Sequence, residues 1–155
     1  MKLKIWQRNS LSAVIIAVGG IALYFLMFLL LTLFTQAGNA LTRLISGEDN
    51  IAINMTVWRD AFFLILLVAS WLIFRSKFSD LIKATFLNAP LMVLFVMIGL
   101  SLYERPQWLI LGIGAAIALA VLLYMYIKKQ SWMYFFATLF TTGVAAYVVL
   151  AGVEI

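Results

Sequence analysis

Arg59 and Asp60 are the residues of this chain best placed to do chemistry, because they abut the apolar run Ala61 to Phe74 rather than lying in an open polar loop. An ionisable group carried into a bilayer costs a few kcal/mol or more, and so marks function by default. Asp60 could bind a cation or carry a proton, and Arg59 could hold an anionic headgroup or a substrate carboxylate. The plainer account places both at the outer interface, snorkelling to water beside Trp58. Neighbours on a helix point about 100° apart, so the two need not pair.

Asn88 and Pro90 are the second candidate. Proline removes one backbone bond and frees the carbonyl four residues back, that of Phe86. An amide beside a broken turn can line a substrate site, as in discontinuous transporter helices. The simpler reading is a kink near the start of a span, with Asn88 hydrogen-bonded to a neighbouring helix. A third set is formed by small residues at helical spacing: Gly112, Ala116 and Ala120, then Ala137, Thr141 and Ala145. Such stripes let helix backbones approach closely, and packing within the monomer is the expected use of both. A subunit interface and a polar lining formed by Thr141 and Thr142 are the alternatives. Asp80 and Lys83, at i and i+3, read as a solvated surface pair.

The chain contains no Cys and no His. That excludes thiol redox chemistry, disulfides, Cys-ligated iron–sulfur clusters and His-ligated haem. It also excludes zinc and copper sites built on nitrogen and sulfur, and any Ser-His-Asp arrangement. Six carboxylates, with Lys and Tyr in support, are all that catalysis could use. No cofactor and no metal site is expected, and a non-enzymatic role follows.

Hydrophobic residues make up 66% of the 155 and charged residues 11%, against roughly 45–50% and 25% in soluble domains. A soluble chain of this size could not hide so much apolar surface. The expected fold is therefore an all-α integral membrane protein, a single bundle of five transmembrane helices (four if the second is not a full crossing). The spans fall at about 11–35, 55–74, 84–103, 107–127 and 132–153, with an outer loop at 36–54. The first is too long for the core of a signal peptide and reads as a retained span. The second has only 14 uninterrupted apolar residues, about 21 Å of helix where about 30 Å is needed. It crosses by recruiting Met55-Thr56-Val57-Trp58 from upstream, which takes Arg59 and Asp60 into the outer part of the membrane, or else by local thinning of the bilayer.

Charge placement sets an orientation. With the N-terminus cytoplasmic and the C-terminus outside, Lys2, Lys4, Arg8, Arg75, Lys77, Lys83, Lys128 and Lys129 lie inside, and only Arg43, Arg59 and Arg105 lie outside. Cationic residues concentrate on the cytoplasmic side of membrane proteins, and this bias argues against dual topology. Trp6, Trp58, Trp108 and Trp132 sit near span ends, where interfacial aromatic belts form. The net charge of +5 is thus an orientation signal, and no basic patch suited to nucleic acid is present.

The partners expected are the lipid bilayer and other membrane subunits or a second copy. The location expected is a cell membrane, a prokaryotic inner or plasma membrane, crossed several times. The function expected is that of a non-catalytic membrane protein acting through partners, such as an accessory subunit of a larger complex or a small protective or immunity-type protein. A small transporter or channel with a polar site near Arg59 and Asp60 is the first alternative. An intramembrane enzyme on lipid-linked substrates, using Asp60 with Glu104 or Glu48, is the second.

Overall fold

Five helices account for nearly all of the computed structural model, which describes residues 5–46, 51–102 and 105–151. They are α1 (Ile5–Ser46), α2 (Ile51–Arg75), α3 (Asp80–Ser101), α4 (Gln107–Ile127) and α5 (Trp132–Leu150). Each is long and apolar enough to cross a membrane, which suggests a multi-pass membrane protein. Closing every backbone hydrogen bond inside its own segment makes a helix the natural solution for such a sequence in hydrocarbon.

The helix starts follow local chemistry. Ser79 caps α3, its hydroxyl oxygen accepting from the Ile82 N–H at 3.5 Å, and Asp80 in the first turn complements the positive end of the helix dipole. Pro106 precedes α4, where its fixed φ suits a helix entry. The turn from α4 to α5 closes with the Gln130 N–H donating to Met125 O at 3.0 Å.

α1 begins at Ile5, six residues before the span expected from Leu11, and two further boundaries differ from the sequence reading. The outer loop expected at 36–54 is mostly helical: α1 continues to Ser46 and α2 begins at Ile51. α1 therefore has 42 residues, about 63 Å of helix. The reason lies in side-chain contacts that hold the extensions together. Gly38 lies directly beneath the Trp58 ring, the Trp58 indole N–H donates to Thr42 Oγ1 at 3.2 Å, and Phe34 meets the Trp58 ring edge-on at 5.7 Å. The second difference is that α3 starts at Asp80, four residues earlier than the span expected from Ala84. The sequence readings that involve Lys2, Lys4, Glu48 and Glu104 lie outside the described residues.

The helices alternate in direction, which gives the bundle two dissimilar ends. One carries Arg43, Arg59 and Arg105; the other carries Arg8, Arg75, Lys77, Lys83, Lys128 and Lys129. α3 is central, packed against α1, α2 and α5, while α4 leans chiefly on α5. Ile16, Leu87, Leu91, Phe95, Met125 and Tyr134 belong to the larger core cluster. Met27, Phe62, Leu66 and Ala89 form a smaller one where α1, α2 and α3 meet.

Candidate functional site

Asn88 sits at the centre of the bundle, 3% exposed, and ties three helices together. Its Nδ2 donates to Ile16 O of α1 at 3.2 Å and to Thr85 O of its own helix at 3.1 Å. Its Oδ1 accepts from Thr141 Oγ1 of α5 at 2.6 Å. The amide can come this close because α1 offers no side chain there. A Cβ on Gly20 would collide with the Asn88 amide, and one on Gly19 would stand 2.7 Å from Thr85 Cγ2. α3 runs unbroken through the buried Pro90. A discontinuous helix around Asn88 and Pro90 is thus not the arrangement found.

The other hydroxyls within the bundle turn back onto their own helices. Ser70 donates to Leu66 O, Thr138 to Tyr134 O, and Thr142 to Thr138 O. Such bonding to the carbonyl one turn back satisfies a hydroxyl without a partner from another helix. Thr138 also lies 3.7 Å from Met125 Sδ, a contact across α4 and α5.

Arg59 and Asp60 sit in α2 at the arginine-bearing end. Arg59 Nε lies 3.6 Å from Asp60 Oδ1, so the adjacent residues do pair, with Arg59 26% and Asp60 55% exposed. Arg59 Nε is buried without a hydrogen-bond acceptor. Arg59 borders a narrow apolar cleft that includes Tyr24, Met27, Phe28, Val96 and Leu100.

A larger cavity, about 280 Å³, opens among α3, α4 and α5 in the same half of the bundle, with Tyr24 of α1 completing its wall. Small residues create it: Gly99, Gly114, Ala115, Ala145 and Ala146 line the space between Phe95, Ile110 and Val149. A side chain on Gly99 would enter open space, and a Cβ on Gly114 would only touch the Phe95 ring at 3.8 Å. The Thr142 hydroxyl on this wall is already engaged with Thr138 O. The cavity is apolar.

No protein-family model, curated protein or solved structure matches this chain. Its chemistry has to be read from its own residues.

The two small-residue stripes part company. Ala137 and Thr141 are buried and Ala145 is half-buried on the face of α5 that meets the bundle, whereas Gly112, Ala116 and Ala120 are exposed on α4. The packing within the monomer expected of the α4 stripe is therefore not seen. α4 instead turns Gly114, Ala118 and Met125 towards its neighbours, since those positions match the face offered by α3 and α5. At the lysine-bearing end, Asp80 Oδ1 accepts from Tyr134 Oη at 3.3 Å rather than pairing with Lys83. Arg75 lies over the Trp71 ring, 5.3 Å from its centroid. The sequence reading passed over Gly19-Gly20 as a packing notch and Tyr24 as a shared wall. Two consecutive glycines in mid-span are a usable signal for close helix approach, whereas nothing in the sequence distinguishes Tyr24 from a belt aromatic.

Proposed function

We propose that this chain is a non-catalytic, multi-span membrane protein that acts through partners, as an accessory subunit of a larger membrane complex or as a small protective or immunity-type protein. The observation that carries the reading is the outward face of α4, where Gly112, Ala116 and Ala120 are exposed and a Cβ on Gly112 would meet nothing among the described residues. Small residues gain little from facing acyl chains, yet they allow the backbone of a second helix to come close. The internal polar groups support the same reading. Asn88, Thr138, Thr141 and Thr142 are bonded to one another, to their own helices or to the Ile16 carbonyl of α1, so their role is structural.

In this proposal the chain crosses a cell membrane five times with its lysine-bearing end in the cytoplasm. Thiol accessibility checks the orientation in a chain with no native cysteine. Phe78→Cys and Lys129→Cys label from the cytoplasmic side, and Glu48→Cys and Glu104→Cys from the opposite side. Glu104→Cys labelling from the cytoplasm overturns it.

The functional test uses Ala116→Cys or Ala120→Cys, crosslinked in native membranes with a short thiol-reactive reagent. A single adduct of defined mass, formed in proportion to the chain, is expected. Recovery of the chain as a lone unit, uncrosslinked at both positions, removes the proposal. The transporter alternative draws on Arg59, whose Nε is buried without an acceptor. Proteoliposome flux that is lost in Arg59→Gln and Asp60→Asn favours it over an accessory role.

A further inference from the structure

We infer that the bundle holds one anionic phospholipid, with an acyl chain in the cavity between α3, α4 and α5 and its phosphate at Arg59. The inference is independent of whether the chain has a protein partner. Two features of the same half of the molecule lead to it.

The first is the chemistry and size of the cavity. Phe95, Gly99, Ile110, Gly114, Ala145 and Val149 enclose about 280 Å³, just below the roughly 300–1,000 Å³ of ordinary small-molecule sites. That volume suits one hydrocarbon chain and is small for a headgroup. Apolar space of this kind does not take up water, because a buried water needs two to four polar partners. The Thr142 hydroxyl, the polar group on its α5 wall, already donates to Thr138 O. In a bilayer the molecule always available to fill such a space is an acyl chain.

The second is the cation next door. Tyr24 and Val96 line both the cavity and the cleft that Arg59 borders, so the two spaces share a wall. Arg59 Nε is buried without an acceptor, and a buried donor is costly unless it finds one. Asp60 approaches only Nε, at 3.6 Å, and is itself more than half exposed. The guanidinium has five N–H donors in a planar fork, and that fork matches phosphate oxygens in a bidentate manner. The cleft is lined by Arg59 and not by Asp60, so the cationic group of a zwitterionic lipid meets a like charge there and a lipid with net negative charge is favoured. α3 ends near this level, with Leu100 beside Arg59, so the phosphate lies close to a helix end, where headgroups gather.

Native mass spectrometry of the full-length protein in neutral detergent tests this, titrated with dioleoyl phosphatidylglycerol or dioleoyl phosphatidylcholine. One phosphatidylglycerol is expected to bind with about tenfold preference over phosphatidylcholine, which is roughly 1.4 kcal/mol. Arg59→Gln is expected to erase the preference while leaving weak binding of both lipids, and Arg59→Lys to restore part of it. Asp60→Asn, which removes the competing carboxylate, strengthens phosphatidylglycerol binding. Gly99→Leu fills the cavity from a position where a side chain meets open space and is expected to abolish binding of both lipids. Gly114→Leu does the same from the opposite wall, and thermal unfolding of each variant confirms that the fold is kept. Equal binding of the two lipids by the native chain overturns the headgroup assignment. Undiminished binding in Gly99→Leu or in Gly114→Leu overturns the cavity as the tail site. Inorganic phosphate that displaces phosphatidylglycerol at millimolar concentration would show that the chain contributes nothing.

Discussion

α3 and α4 are nearly equal in length, at 22 and 21 residues, yet they occupy opposite situations. α3 has buried residues from Ala84 to Phe95 along its contact faces, including Asn88 and Pro90. α4 is the more apolar of the two and buries only Ala118 and Met125. In water the more apolar helix would take the centre. In lipid it gains nothing by doing so, because acyl chains are as apolar as leucine. The central place goes to the helix with something only other helices can satisfy. Asn88 needs acceptors and a donor, and α1 and α5 provide them. Polarity and smallness, rather than hydropathy, order this bundle.

The comparison breaks most sharply at the glycines. Gly20 receives the Asn88 amide with no room for a Cβ, whereas a Cβ on Gly112 meets nothing. Gly20→Leu therefore forces α1 away from α3 and is expected to cost about 3 kcal/mol, the upper part of the usual range for overpacking. Gly112→Leu is expected to leave the stability of the isolated chain within about 0.5 kcal/mol, as for a surface change. Unfolding in mixed micelles, followed by far-UV circular dichroism, measures both. Equal losses would mean that the α4 face is buried in the purified particle, and the contrast between the helices would fail.

The next effect isolates the polar link. Thr141→Val keeps the shape of the side chain and removes the donor to Asn88 Oδ1, leaving a buried acceptor with no partner among its present contacts. A loss of about 1–2 kcal/mol is expected. Thr142→Val, whose lost bond is only to its own helix, should cost less. A double-mutant cycle between Asn88→Leu and Thr141→Val should show coupling of about 0.6–1.7 kcal/mol, the span measured for hydrogen bonds between membrane helices. Additive losses would show that the 2.6 Å contact contributes nothing specific to the seam.

How much of this was legible in the sequence depends on the kind of signal. Five apolar runs with cations between them give five helices, because length and hydropathy are local properties of the chain. The run around Gln36 to Asn54 misled for the same reason. Its polar residues mark a loop locally, but the Gly38, Thr42 and Trp58 contacts that keep it helical join residues 16 or more positions apart. Asn88 announced itself as a polar residue in a span. Its partners did not, since Ile16 contributes a backbone carbonyl and Thr141 resembles the many threonines that bond their own helix. The Gly112, Ala116 and Ala120 spacing gave a helix face without saying which way that face points. The cavity is a property of three helices at once, and no single segment encodes it.

The smallest effect tests the hinge that carries α4. Lys129 ends that helix with φ of 50°, a left-handed conformation that costs a residue with a Cβ about 1 kcal/mol. Glycine is the usual occupant of this position. The backbone bonds of the turn, Lys129 N–H to Tyr126 O at 3.1 Å and Gln130 N–H to Met125 O at 3.0 Å, do not depend on the side chain. Lys129→Gly should therefore raise stability by about 0.5–1 kcal/mol, with relief of strain partly offset by the greater freedom of glycine in the unfolded chain. Lys129→Ala removes the same charge and keeps the Cβ, so it should give no gain. If both variants behave alike, the charge at this end of the bundle matters more than the backbone, and α4 is held by its cationic terminus as much as by the turn into α5.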